Sequence, residues 1–292
     1  MVTTTTPTQG QEPKTVAHYR SSLRPIWCAG CGDFGVLAAF YEALVAMDID
    51  KDNLSVVSGI GCSSRFPGFV DAYGFHGVHG RSLPVATGVK MARPDQTVVA
   101  FGGDGDYFSI GAGHLPHAAR RNLDITAIVM DNQIYGLTKG QISPTSPQTM
   151  RTKSTPYGSH DLPINPIGYA LMFGASFVAR AFSAQRQVMN KIFQRAIEHK
   201  GFSIIQVMSP CVTFHDTYKT YKEITQPMPE GHDPSNREAA IQLAMTEEKL
   251  SLGVFYEGEP MEPPGDYIND PYIDVQQSDL TDRLNKYLNK FA

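Results

Sequence analysis

Thr97-Val98-Val99-Ala100-Phe101-Gly102-Gly103-Asp104-Gly105-Asp106 and Ile125-Thr126-Ala127-Ile128-Val129-Met130-Asp131-Asn132 carry the fold class. Each is a short apolar run closed by a chemically loaded turn, the pattern of a strand buried on both faces. Ile110–Arg121 between them reads as a helix, so the unit is strand, helix, strand, and the strands run parallel. Leu54–Gly59 and Phe202–Met208 read as two more strands, leading into Cys62 and Cys211. In an open parallel sheet the loops leaving the strands emerge on one edge, where ligands collect. The expectation is an α/β protein, a mostly parallel sheet with helices on both faces, and one shared site on that edge.

On either side of this unit the pattern continues. Phe34, Leu37, Phe40, Tyr41, Leu44 and Val45 recur at helical spacing after Asp33, and Leu83–Ala92 reads as a helix. Asn132–Leu162 is rich in Pro, Gly, Ser and Thr, too long for an ordinary connection, and such loops are usually functional. Pro166–Phe173 and Val188–His199 read as helices and Ser176–Ala181 as extended. Three segments follow: residues 1–20 as a flexible arm, 21–214 as the cofactor-binding module, and 215–292 as an extension packing on the module or on a partner. In that extension Arg237–Leu250 reads as helical, and Leu280, Leu284, Tyr287 and Leu288 give an amphipathic end.

The chain has 292 residues with 41% hydrophobic content, enough for a large core without metal or disulfide support. Net charge is -4 and no basic run appears, which excludes an electrostatic nucleic-acid binder. Neither a secretory leader nor a membrane-spanning apolar run is read, so a soluble, cytoplasmic protein is expected. In that compartment the four cysteines are better read as metal ligands than as disulfides.

Gly102-Gly103-Asp104-Gly105-Asp106 follows a strand and opens a helix, so Gly103 and Gly105 permit close backbone approach to a phosphate and free N–H groups face it. An aspartate beside a diphosphate needs a cation. Magnesium takes one or two protein oxygens together with phosphate oxygens and water, and Asp104 and Asn132 supply such oxygens. Cys28 and Cys31 share a tight turn, with Cys62 and Cys211 at strand ends. Sulfur ligation of that kind suits zinc or an iron–sulfur cluster, and spacing alone does not separate them. A thioredoxin-like Cys28/Cys31 redox pair with two ordinary buried cysteines is the plainer alternative.

Gly-Asp-Gly followed by Asp131-Asn132 resembles the pyrophosphate module of thiamine diphosphate enzymes, which carries Asn-Asn at the second position. The metal ligand of that pair is its second residue, here Asn132. The resemblance implies a third magnesium ligand in the backbone carbonyl of Ile134, with Gly136 and Leu137 lining the diphosphate. Cys28-Ala29-Gly30-Cys31-Gly32-Asp33, Gly59-Ile60-Gly61-Cys62-Ser63-Ser64-Arg65, His76-Gly77-Val78-His79-Gly80-Arg81 and the Gly103–Asp106 turn together resemble the β subunit of 2-oxoacid:ferredoxin oxidoreductases, over about Arg24 to Phe214. This implies a [4Fe-4S] cluster on Cys28, Cys31, Cys62 and Cys211, with thiamine diphosphate touching Ile60, Gly61, Cys62, Ser63 and His79. Asp106 belongs to the same cofactor turn.

Arg65 and Lys139, on loops after site strands, are candidates for a substrate carboxylate or coenzyme A, Arg65 through its planar fork. The plainer alternative for each is a solvated surface charge. His79 is a phosphate donor or a core histidine, Trp27 a shield beside Cys28, and His114 and His117 carry no assigned chemistry. The implied reaction is coenzyme A-dependent oxidative decarboxylation of a 2-oxoacid, favoured as 2-oxoglutarate, with electrons passing to ferredoxin, and it is reversible for CO₂ fixation. The implied partner is an α subunit that brings the pyrimidine module and the activating glutamate, in an (αβ)2 assembly. Rival readings are the same chemistry on pyruvate or another 2-oxoacid, a non-oxidative thiamine diphosphate enzyme with structural zinc, and an electron-transfer subunit without turnover.

Overall fold

The computed structural model describes residues 14–260 together with 288 and 289. In chain order the helices are α1 (Val16–Tyr19), α2 (Asp33–Ala46), α3 (Ser82–Ala92), α4 (Asp104–Phe108), α5 (Leu115–Arg121), α6 (Pro166–Met172), α7 (Arg186–Glu198), α8 (Tyr218–Ile224) and α9 (Arg237–Thr246). The strands are β1 (Leu54–Ser58), β2 (Tyr73–His76), β3 (Thr97–Gly103), β4 (Ile125–Asp131), β5 (Ile134–Tyr135), β6 (Gln141–Ile142), β7 (Phe177–Phe182), β8 (Phe202–Met208), β9 (Thr225–Pro227) and β10 (Leu250–Glu257).

Eight strands form one sheet in the order β2-β1-β3-β4-β8-β7-β10-β9, parallel throughout except where β10 runs against β7. The continuous apolar runs are explained by alternation across this sheet. Val99, Phe101, Ile128 and Met130 face one core with Phe40 of α2 and Phe193 of α7. Val98, Ala100, Ala127 and Val129 face the other, with Leu83 of α3, Leu115 of α5, Ile167 of α6 and Ala240 of α9. A strand with helices on both faces keeps no polar side, so periodicity gives way to an unbroken run. Because β1, β3, β4 and β8 are parallel neighbours, their four C-terminal ends share one rim.

Several expectations need correction. The helix read over Ile110–Arg121 begins only at Leu115, because the turn from Ser109 to His114 contains Gly111 and Gly113; the residues just after Gly103 form the separate α4. Residues 14–20 of the expected arm are packed: Tyr19 is fully buried and donates its hydroxyl to the carbonyls of Ile49 (2.6 Å) and Leu44 (3.1 Å). The helix read to Leu250 stops at Thr246, and Leu250 starts β10. The segment after residue 214 is therefore continuous with the module's sheet as far as Glu257, and Val254 and Phe255 sit in its two cores. Residues 1–13 and the amphipathic positions Leu280, Leu284 and Tyr287 lie outside the described residues.

Candidate active site

At the shared rim a cavity of about 300 Å³ is lined by residues from four loops, among them Ile60, Ser63, His79, Asp104, Asn132 and Leu137. Gly61, Cys62, Gly103, Gly105, Asp106, Ile134 and Gly136 complete the set of expected cofactor residues on its wall. Asp104 sits in the first turn of α4 with 1% of its surface exposed. Burial and the charge of Asp131 raise its pKa, while the hydroxyls of Ser143 and Thr145 and the N–H of Asn132 hold it back. Asn132 is thus beside Asp104, and its own side-chain oxygen accepts the N–H of Ile134 at 3.0 Å.

Two glycines are dictated by close approach. A Cβ on Gly105 would enter the Tyr135 ring, and one on Gly59 would enter the Asp106 carboxylate. Asp106 is the hub of this edge. Its Oδ1 accepts the N–H of Ile60 (3.0 Å) and of Gly80 (2.7 Å) and lies 2.8 Å from His79 Nδ1. Burial raises its pKa, and those three contacts oppose the rise. The sequence places Asp106 among cofactor contacts; the structure shows its carboxylate fastening two loops to α4 and orienting His79, a role carried by no local sequence signal. His76 bonds Ser58 Oγ at 3.0 Å, and Arg81 is turned toward the carbonyls of His79, Gly80 and Ile110.

Of the thiols, Cys62 lines this cavity, and Cys211 lies next to its wall at Gly136. A Cβ built on Gly136 would stand 3.6 Å from Cys211 Sγ, 3.8 Å from Cys62 Sγ and 3.8 Å from Asn132 Nδ2. Cys31 lies within electrostatic reach of Cys62 and Cys211, and Cys62 within reach of Cys28 and Cys211. Burial is the main cause that pushes the Cys62 thiol up to about 11 and raises Cys31 as well. Asp33, fully buried, is pushed up to about 6 by desolvation, opposed by hydrogen bonds from Ser209 Oγ (2.7 Å) and from Cys31. Trp27 is buried and donates its indole N–H to the Cys62 carbonyl at 2.7 Å, so it fastens the Cys62 loop as well as covering it.

Among the described residues no three His, Cys, Asp or Glu side chains stand close enough to hold a single metal ion. Tetrahedral zinc, with Zn–S near 2.3 Å, requires sulfurs less than about 4 Å apart. A cluster that brings its own irons and sulfides spans wider thiols. Oxygen donors beside buried carboxylates on one side and four thiols on the other fit a magnesium-bridged diphosphate and an iron–sulfur cluster respectively.

Arg65 and Lys139 are not brought to the cavity wall. Arg65 is half-buried in the 3-10 turn Ser63–Phe69, where its charge lowers the Cys62 pKa. Lys139 is exposed at a hairpin tip with φ +79°. His114 and His117 line a separate surface groove with Arg120 and Arg121.

Residues 59–207 match the family described as thiamine pyrophosphate enzyme, C-terminal TPP binding domain. Residues 211–267 match the family described as the C-terminal part of the pyruvate ferredoxin oxidoreductase beta subunit. The chain is 42% identical over 255 residues to 2-oxoacid:ferredoxin oxidoreductase 1, subunit beta, of Aeropyrum pernix, covering 82% of this chain and 80% of that one. It is 44% identical over 197 residues to 2-oxoglutarate synthase subunit KorB of Archaeoglobus fulgidus, covering 67% and 73%. A solved structure of 2-oxoglutarate:ferredoxin oxidoreductase from Magnetococcus marinus, with 2-oxoglutarate, coenzyme A and succinyl-CoA bound, aligns with a TM-score of 0.86 and 42% identity, over 96% of this chain and 97% of that chain.

Proposed function

This chain belongs to the β subunits of the 2-oxoacid:ferredoxin oxidoreductases, and from that premise we propose that it works on 2-oxoglutarate with coenzyme A, using thiamine diphosphate, magnesium and a [4Fe-4S] cluster. The observation that carries the reading is Gly136, whose missing side chain would touch Cys62, Cys211 and Asn132 together. Cation ligands and thiols are thereby neighbours on one rim. When bound, thiamine diphosphate supplies an electron sink for decarboxylation and the cluster accepts electrons singly.

In this reading Asp104, Asn132 and the Ile134 carbonyl hold magnesium, and Gly103, Gly105, Gly136 and Leu137 admit the diphosphate. Cys28, Cys31, Cys62 and Cys211 hold the cluster, with Trp27 excluding water from it. His79, its Nδ1 fixed by Asp106, leaves Nε2 as the atom available to the cavity. Arg65 and Lys139 serve the 2-oxoacid carboxylate or coenzyme A from outside the cavity wall, in a site completed by an α subunit. That subunit supplies the pyrimidine module and the activating glutamate, the assembly is (αβ)2, ferredoxin takes the electrons, and CO₂ fixation is the reverse direction. Support for 2-oxoglutarate over pyruvate comes from the several 2-oxoglutarate synthase subunits among the relatives.

The test is anaerobic purification of the complex with its α subunit, followed by iron, sulfide, zinc and thiamine analysis and by assay of ferredoxin reduction on each 2-oxoacid. A brown complex with bound thiamine that reduces ferredoxin faster on 2-oxoglutarate than on pyruvate is expected. A colourless zinc protein, or faster turnover on pyruvate, overturns the respective part.

A further inference from the structure

We propose that Thr145, on the long loop after β4, is a positioning residue for Asp104, anchored from behind by a buried polar chain through Asp131, Gln206, Arg180 and Glu247. The proposal rests on the magnesium reading above and adds the residues that make the site rigid. Thr145 is 3% exposed. Its Oγ1 lies 2.8 Å from Asp104 Oδ2 and 2.9 Å from Asp131 Oδ1, so one hydroxyl spans the ends of β3 and β4.

The loop holds that hydroxyl in place by its own bonds. Ser146 Oγ donates to the Gln133 carbonyl at 2.6 Å and accepts the Ser143 N–H at 2.8 Å, closing the turn that contains Thr145. Behind Asp131 the chain continues sideways across the sheet. Gln206 Nε2 donates to Asp131 Oδ2 at 2.7 Å, and Arg180 Nε donates to Gln206 Oε1 at 2.8 Å. Arg180 Nη1 pairs with Glu247 Oε1 at 2.5 Å, and Glu247 Oε2 accepts the Ser251 N–H at 2.7 Å.

Arg180 and Gln206 are register partners on β7 and β8, so the route follows the sheet itself. A buried ion pair is a poor source of stability, since desolvation offsets most of the attraction. Orientation is the gain here. Each member uses a directional bond to fix the next, ending at the carboxylate whose rotation decides where an oxygen faces the cavity. Outer partners that orient a metal ligand are typically worth about 10–100-fold in metal affinity.

The experiment uses the complex with its α subunit and measures, by calorimetric titration at fixed thiamine diphosphate, the magnesium concentration for half-saturation of cofactor binding. Thr145→Val, which keeps the shape and removes the hydroxyl, is expected to raise it about 10-fold or more, and Thr145→Ser to restore the wild-type value. An unchanged half-saturation in Thr145→Val, or a Thr145→Ser complex that behaves like Thr145→Val, overturns the proposal. Should Thr145→Val fail to assemble, Thr145→Ala carries the same comparison. Wild-type complex that binds no thiamine diphosphate in magnesium overturns the cofactor reading instead.

Discussion

The carboxylate side and the thiol side of the rim are built by opposite strategies. Behind Asp104 stands a run of buried, hydrogen-bonded side chains: Thr145, Asp131, Gln206 and Arg180 are all under 10% exposed and linked in one chain. Around the cysteines the donors come from three separate loops, Cys28 is exposed, and the covering contact is one indole bond to a backbone carbonyl. A site for a small hard cation must be rigid beforehand, because magnesium tolerates little departure from its geometry. Thiols that receive a preassembled cluster need only converge, and the raised pKa values of Cys31 and Cys62 mean that ligation by these two must displace protons.

Removing one proposed ligand from each side puts that contrast under the greatest stress. Asp104→Ala is expected to weaken thiamine diphosphate retention by at least about 100-fold, the upper end of what an outer-shell loss costs, while leaving the brown chromophore. Cys211→Ser should do the reverse, bleaching the chromophore with thiamine retained; thiamine analysis and absorption spectra of the two complexes read both arms. If either substitution removes both groups, the two halves are not separately built.

A second test probes the rigidity of the carboxylate side. Glu247→Leu leaves Arg180 buried without its ion-pair partner, and a loss of about 3–5 kcal/mol in urea unfolding is expected. On the thiol side Trp27→Phe removes the bond to the Cys62 carbonyl and part of the ring packed against Phe34, Phe66 and Phe69, with an expected cost of about 1–3 kcal/mol by the same measurement.

The smallest effect lies away from both. His199 is buried against Ser176 Oγ at 2.8 Å, and desolvation lowers its pKa below the usual histidine value near 6.5. Its folded form therefore prefers to be neutral. Stability from this group is complete above that usual value and falls as pH drops below it. His199→Gln should flatten the pH dependence of the melting temperature on the acid side while the rim chemistry stays unchanged.

Much of this was open to reading along the chain. Four apolar runs with loaded ends pointed to the parallel set β1, β3, β4 and β8, because strands covered on both faces can keep no polar alternation. Gly103–Asp106, Asn132, Cys62 and Cys211 stood out because turns at strand ends carry their chemistry locally, and Cys28 and Cys31 because they share one tight turn. The short strand β2 was not, since its four residues are all exposed at the sheet edge and it carries no alternation to find. The antiparallel β10 was hidden by a helical pattern running into Leu250.

The order of amino acids alone thus specified the parallel scaffold and the rim, which depend on local pattern and on the geometry every such sheet shares, while the expected ligand set came from the family resemblance. Three-dimensional packing was needed to establish that Asp106 fastens loops and orients His79, that Arg65 and Lys139 lie off the cavity wall, and that Thr145 bridges two carboxylates. Those outcomes rest on hydrogen bonds between residues far apart in the chain, such as Gln206 with Asp131, and no local pattern encodes the direction in which a buried side chain finds its partner.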